Sequence, residues 1–222
     1  TGHLILASNL LHISQTNFVK SFEIAIQLGA IMAVVGLYWQ KLFKQWTVIL
    51  AGFLPAAVIG FFAYPFIKGS LIGNTQVVLW SLFLGGLVLL FIDKLAPRSG
   101  TLNIRNALII GLFQSVSVIP GVSRAAATIV GGLLVGLDRN SAVEFSFLLA
   151  VPTMFAATGL DLMKSGWAFS SSEWLLLLIG FVGSLLTAWI SVKFFINFIK
   201  SHNFFWFGVY RIALSLLWWI VI

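Results

Sequence analysis

The stretch "VIPGVSRAAATIVGG", Val118–Gly132, decides how the whole chain is read. Pro120 and Gly121 interrupt a helical pattern inside an apolar run. Ser123, Arg124 and Thr128 follow at once. A guanidinium at such a place is a functional hypothesis by default. The break divides Ile104–Val135 into two pieces of about 15 residues, too short to span a bilayer. Pieces of that length read as a re-entrant hairpin or as buried half-helices.

A new helix is expected to start near Ser123, whose side chain can cap it. Its first N–H groups are unpaired and carry the positive end of the dipole, which suits phosphate. Arg124 adds a fixed charge and a fork of donors matched to phosphate oxygens. Thr128 lies about one turn on, so its hydroxyl falls near the same face. The competing reading is a proline kink, with Ser123 and Thr128 bonding back to the helix and Arg124 snorkelling. An anion site is preferred, because an arginine beside a break deep in an apolar run is uncommon.

The rest of the chain sets the context. Of 222 residues, 60% are hydrophobic and 9% charged, against about 25% charged in soluble domains. This composition belongs to an integral membrane protein. There is no cysteine, which excludes disulfides and thiolate chemistry. The net charge of +7 sits mostly in short loops, as the positive-inside rule predicts, and implies no nucleic-acid partner. Six spans are expected, roughly Phe18–Trp39, Thr47–Ile67, Gln76–Ile92, Ser141–Leu162, Trp174–Ile199 and Phe204–Ile222. "QKLFKQ", "KGSLIGN" and "DKLAPRSG" separate the first four. Lys41, Lys44, Lys94, Arg98, Arg105, Arg139 and Lys200 fall on one face, against Lys20, Lys68 and Lys164 on the other, so the first face is cytoplasmic. Trp174, Trp206, Trp218 and Trp219 near span ends fit an aromatic belt. His3–Leu11 is a second short apolar piece. "TGHLILASNLL" begins abruptly, without a cap or a signal peptide, and reads as the start of a fragment.

Displacing the chain by 123 residues aligns its two halves without a gap. Identities include Asn17/Asn140, Phe22/Phe145, Ala33/Ala156, Gly36/Gly159 and Lys41/Lys164. Three spans lie between the two short helices, so a second copy would be inverted; the alternative is two similar apolar segments with no shared origin. The expected fold is an all-α polytopic membrane protein. It has about six transmembrane helices and two re-entrant helical hairpins in an inverted-topology repeat, the first hairpin incomplete. The chain is expected to form one integral membrane domain, with repeat 1 at about residues 1–95 and repeat 2 at about 104–222. Inverted repeats with broken helices are typical of transporters, so a transporter or flippase for an anionic lipid or metabolite is the alternative to an enzyme.

Further candidates flank this frame. By the offset His3 pairs with Ala126, beside Arg124, on the opposing hairpin. Histidine can act as nucleophile or proton carrier; it can equally be interfacial at this position. Glu23 and Gln27 stand four apart in "SFEIAIQLGAI", and Glu144 with Ser146 holds the similar place in "EFSFLLAVP". These carboxylates suit a metal, a base or Arg124, or interhelical hydrogen bonding alone.

These residues together resemble the bacterial undecaprenyl-diphosphate phosphatases of the bacitracin-resistance type. "PGVSRAAAT" is similar to that family's PGxSRSxxT, and "TGH" to the end of its PVSSTGH. "FEIAIQLGAI" and "EFSFLLAVP" resemble its signatures in the expected order, over essentially the whole chain. The resemblance implies hydrolysis of undecaprenyl diphosphate to the monophosphate carrier used in cell-wall synthesis, in the inner membrane, at a site facing outside. It implies a divalent cation, Mg2+ or Ca2+. His3 is then a candidate nucleophile or acid/base, and Arg124 clamps the diphosphate. Ser123 and Thr128 supply hydroxyl donors, and Gly121, Glu23, Gln27 and Glu144 contribute to binding. The partners implied are a polyprenyl diphosphate substrate and membrane lipids; a homo-oligomer stays compatible. Two departures stand out. The family's (E/Q)xxxE motif, with its metal-binding glutamates, and its "PVSS" serines would precede Thr1. Residues 1–222 alone are therefore expected to be inactive or nearly so. Ala125 stands where the family pattern has a second serine.

Overall fold

In lipid a backbone must satisfy its own N–H and C=O groups, and helices do this within one segment. The computed structural model describes residues 11–13, 16–66, 74–95, 100–165 and 169–221. Among them run α1 (Asn17–Lys44), α2 (Trp46–Phe66), α3 (Thr75–Leu95), α4 (Ile104–Ser115), α5 (Arg124–Leu134), α6 (Arg139–Ser165), α7 (Ser171–Ser201) and α8 (Phe205–Val221). One 3-10 turn, Val116–Val118, follows α4. Helices α1, α2, α3, α6 and α7 are long and apolar enough to cross a membrane. The chain is an all-α, multi-pass membrane protein. The sixth expected span forms α8, whose 17 residues reach about 25 Å, short of a hydrocarbon core of about 30 Å.

The helix starts follow from the sequence. Thr16, Asn103 and Ser123 each place a side-chain oxygen on the N–H three residues on, at 3.2, 2.9 and 3.2 Å. Asp138 does the same for α6, accepting from the Ser141 N–H at 3.1 Å. Ser170 and Glu173 form a reciprocal capping box at the start of α7. One expectation is corrected: "QKLFKQ" is not a loop up to its last residue. The helix continues through a kink at Tyr38 and ends only at Lys44. Nothing in that segment breaks a helix, and Lys41 and Lys44 suit the negative end of its dipole.

The described residues cluster into two compact units, and each draws on both halves of the chain. The first holds those of 47–146 and 196–221. Within it α3 and α8 run antiparallel. The Trp219 indole donates to Gln76 Oε1 (2.9 Å) at one end, and the Phe204 N–H donates to Asp93 Oδ2 (2.9 Å) at the other. Asp93 also accepts from Arg139 Nε, tying the start of α6 to the same corner. Between those ends Gly86 and Gly208 let the two backbones approach, as small residues do in membranes; a Cβ on Gly208 would sit 2.7 Å from Gly86 O.

The second unit holds the described residues of 11–46 and 147–195. There α1 lies against α7: Ser184 Oγ donates to Ile26 O (2.6 Å), and Gly180 faces the Phe22 ring. Leu175, Ile179, Leu186 and Ile190 on α7 are exposed, as a lipid-facing side requires. Displaced by 123 residues, α1 falls on α6 to within two residues at both ends.

Candidate active site

The predicted break forms a helical hairpin in the first unit. Helix α4 has 12 residues and α5 has 11, about 18 and 16 Å long, so neither crosses a bilayer. They pack against each other. The turn between them is tight: the Ile119 N–H donates to Val116 O and the Val122 N–H to Ile119 O. Gly121 has φ +88, in the left-handed region, and a Cβ there would fall 2.6 Å from Val78 O of α3. Both the conformation and the close approach require glycine.

Helix α5 starts at Arg124, with Ser123 as its cap. The Ser123 hydroxyl oxygen accepts from the Ala126 N–H (3.2 Å). Its own proton remains free to donate outward. The N–H groups of Arg124 and Ala125 have no intrahelical acceptor. Arg124 is half-buried. Among the described residues its guanidinium makes one hydrogen bond, from Nη1 to Ser146 O of α6 (3.2 Å), and has no carboxylate partner. The other donors of the fork stay available. Free amides, a hydroxyl and a guanidinium in this arrangement have the chemistry to accept a multiply charged anion.

Thr128 is fully buried and sits beneath this tip. Its Oγ1 lies 3.0 Å from both Arg124 O and Ala125 O, and 2.6 Å from Ser146 Oγ. Its single proton already has protein acceptors. The geometry makes Thr128 a brace between α5 and α6 rather than an outward donor. Ser146, noted in the sequence only beside Glu144, is the second half of that brace.

The other predicted residues are placed as follows. Glu144 is half-buried on α6, two residues before Ser146. Glu23 and Gln27 lie on α1, in the second unit, where Gln27 Nε2 donates to Glu23 O (3.0 Å). His3 lies outside the described residues. Among the described residues no group of three His, Asp or Glu side chains could hold a metal ion.

The sequence reading missed Arg211. This residue stands in the middle of α8, 7% exposed. Nη2 donates to Gly121 O of the hairpin turn (3.3 Å) and to Ser81 O of α3 (3.1 Å), and Nε to Leu82 O (3.4 Å). The signal was present: "VYRIALS" places a lone arginine inside an apolar span, the same anomaly that singled out Arg124.

Comparison with known proteins decides the family. The family model described as bacitracin resistance protein BacA matches residues 1–217. The chain belongs to the BacA family. Over 98% of its length it is 53% identical to the undecaprenyl-diphosphatase of Aquifex aeolicus, covering 89% of that protein. It is 47% identical to the undecaprenyl-diphosphatase of Thermus thermophilus, with 97% of this chain and 87% of the relative covered. A third undecaprenyl-diphosphatase, from Persephonella marina, is 46% identical over 97% of this chain and 88% of its own length. In this BacA family chain the PGxSR segment is thus the hairpin turn and the first turn of α5.

Proposed function

We propose that this BacA family protein hydrolyses undecaprenyl diphosphate to undecaprenyl phosphate and inorganic phosphate, recycling the lipid carrier at the outer side of the bacterial inner membrane. The observation that carries the reading is the hairpin tip. Ser123, two unpaired amides and a guanidinium with most of its donors unused converge there. The names of the relatives supply the substrate class.

The apolar flanks of the exposed helices accommodate the isoprenoid tail, while the diphosphate meets the N-terminus of α5. The guanidinium of Arg124 and the Arg124 and Ala125 amides hold the phosphoryl oxygens and offset the charge that develops on them. Thr128 and Ser146 keep that helix end fixed, so little reorganisation accompanies the reaction. A nucleophile attacks the terminal phosphorus, the phosphoanhydride bond breaks and the monophosphate lipid leaves; water then cleaves the phosphoryl–enzyme bond and releases inorganic phosphate. His3, or a serine of the family's PVSS motif, is the proposed attacking group. Glu23, Gln27 and Glu144 are proposed as substrate-binding residues. A divalent cation and the inverted-repeat arrangement of two hairpins belong to the same proposal.

The test uses the full-length gene product in sealed vesicles loaded with undecaprenyl diphosphate. The expected result is phosphate release without net lipid translocation. Translocation with no phosphate release would instead support the transporter reading.

A further inference from the structure

We infer that Arg211 is a positioning residue that fixes the hairpin turn carrying the anion site. Four observations converge. First, Arg211 is buried in a membrane helix and its partners among the described residues are backbone carbonyls, with no carboxylate. A buried guanidinium without a counter-charge is costly, so a structural filler would be apolar here. Second, those carbonyls lie on two different elements. Nη2 bridges Ser81 O of α3 and Gly121 O of the turn, and Nε holds Leu82 O.

Third, the packing around it admits this guanidinium. A Cβ on Gly85 would lie 2.7 Å from Arg211 Nη2 and 3.3 Å from Cζ. The glycine one turn beyond Ser81 leaves the space in which the planar group reaches the carbonyls. Fourth, the turn it grips packs closely on α3. Gly121 is left-handed and pressed on Val78 and Ser81 of α3. Gly121 O therefore reports directly on where Ser123 and Arg124 sit, two and three residues on. Five donors in a fixed fork can satisfy acceptors on two elements at once; one ammonium cannot hold the same plane.

Arg211 thus acts through the turn and does not touch the substrate. A displacement of about 1 Å at such a support costs on the order of a hundredfold in rate. The kinetic part of this assignment rests on the hydrolase reading; the conformational part does not. Because residues 1–222 contain no cysteine, Val122→Cys in the turn gives one reporter thiol among them for a maleimide, with any cysteine outside them replaced by serine.

The experiment compares the full-length protein carrying Val122→Cys with the same protein carrying Arg211→Lys or Gly85→Ala as well. Gly85→Ala keeps the arginine but pushes the end of its flexible side chain away from α3. The expected result for both is labelling at least about five times faster, and kcat at least about tenfold lower with KM within about threefold. Both variants should lose some thermal stability but still unfold cooperatively. Unchanged labelling in both variants overturns the assignment, whatever the rate does. So does loss of folding in both, which would make Arg211 a stability element only. If the parent protein releases no phosphate, the hydrolase reading fails, while the labelling comparison still decides the role of Arg211.

Discussion

Arg124 and Arg211 both lie in apolar helices of the first unit, and their hydrogen bonding differs. Arg124 at the start of α5 makes one hydrogen bond to protein among the described residues, and Arg211 in the middle of α8 makes three. Neither has a carboxylate partner among those residues. The first is half-buried at a hairpin tip and the second buried behind the same turn. Burial of an arginine therefore does not by itself mark a ligand site. Arg124 keeps more of its donors unused than Arg211 does, and on the proposed reading those donors meet the ligand.

The predictions test that contrast. The largest effect belongs to Arg124→Ala, which removes the charge that the hairpin tip offers to an anion. Hydrolysis of undecaprenyl diphosphate by the full-length protein should fall about 100–1,000-fold. Steady-state phosphate release checks it. Next comes Thr128→Val. It deletes the brace to Ser146 and leaves a buried hydroxyl without its partner, which costs roughly 1–3 kcal/mol of stability. The rate should fall by no more than about tenfold, because the hydroxyl is committed within the protein. A larger loss of rate with unchanged unfolding would return Thr128 to the role of outward donor.

A gain is expected from Ala125→Ser. It restores a hydroxyl beside two free amides, and KM should drop by about two- to fivefold, the worth of one net hydrogen bond or less. The smallest effect lies away from the tip. Ser141, through its hydroxyl and then its N–H, holds the Asp138 carboxyl below its usual range. Because the folded-state pKa is the lower one, this cap contributes above the ordinary carboxyl range and fades as pH falls through the lowered value. Asp138→Ala should cost about 1 kcal/mol at neutral pH, and the difference from the parent should vanish in acid. Thermal unfolding in detergent across pH measures it.

Much of this was legible in the sequence. "IPG" inside Ile104–Val135 pointed to the hairpin, because neither half is long enough to span. Ser123 was readable as a cap, since its residue type and its place before an apolar run both say so. Membrane spans were readable because length and hydropathy suffice for them; the end of α1 was not, because lysines at a helix terminus prolong a helix as readily as they close it. The brace between Thr128 and Ser146 was not readable either. It joins residues 18 apart on different helices, and no local pattern encodes that register. Arg211 carried a visible anomaly, but its meaning lies in carbonyls 90 and about 130 positions away. Backbone acceptors leave no trace in residue identity.

The most direct measurement reads both arginines in one protein. In full-length Val122→Cys protein, Arg124→Ala should lower phosphate release from undecaprenyl diphosphate about 100–1,000-fold while the thiol labels at the parent rate. Retention of hydrolysis within about threefold of the parent, or labelling accelerated as expected for Arg211→Lys, would contradict the assignment of Arg124 to the ligand and Arg211 to the turn.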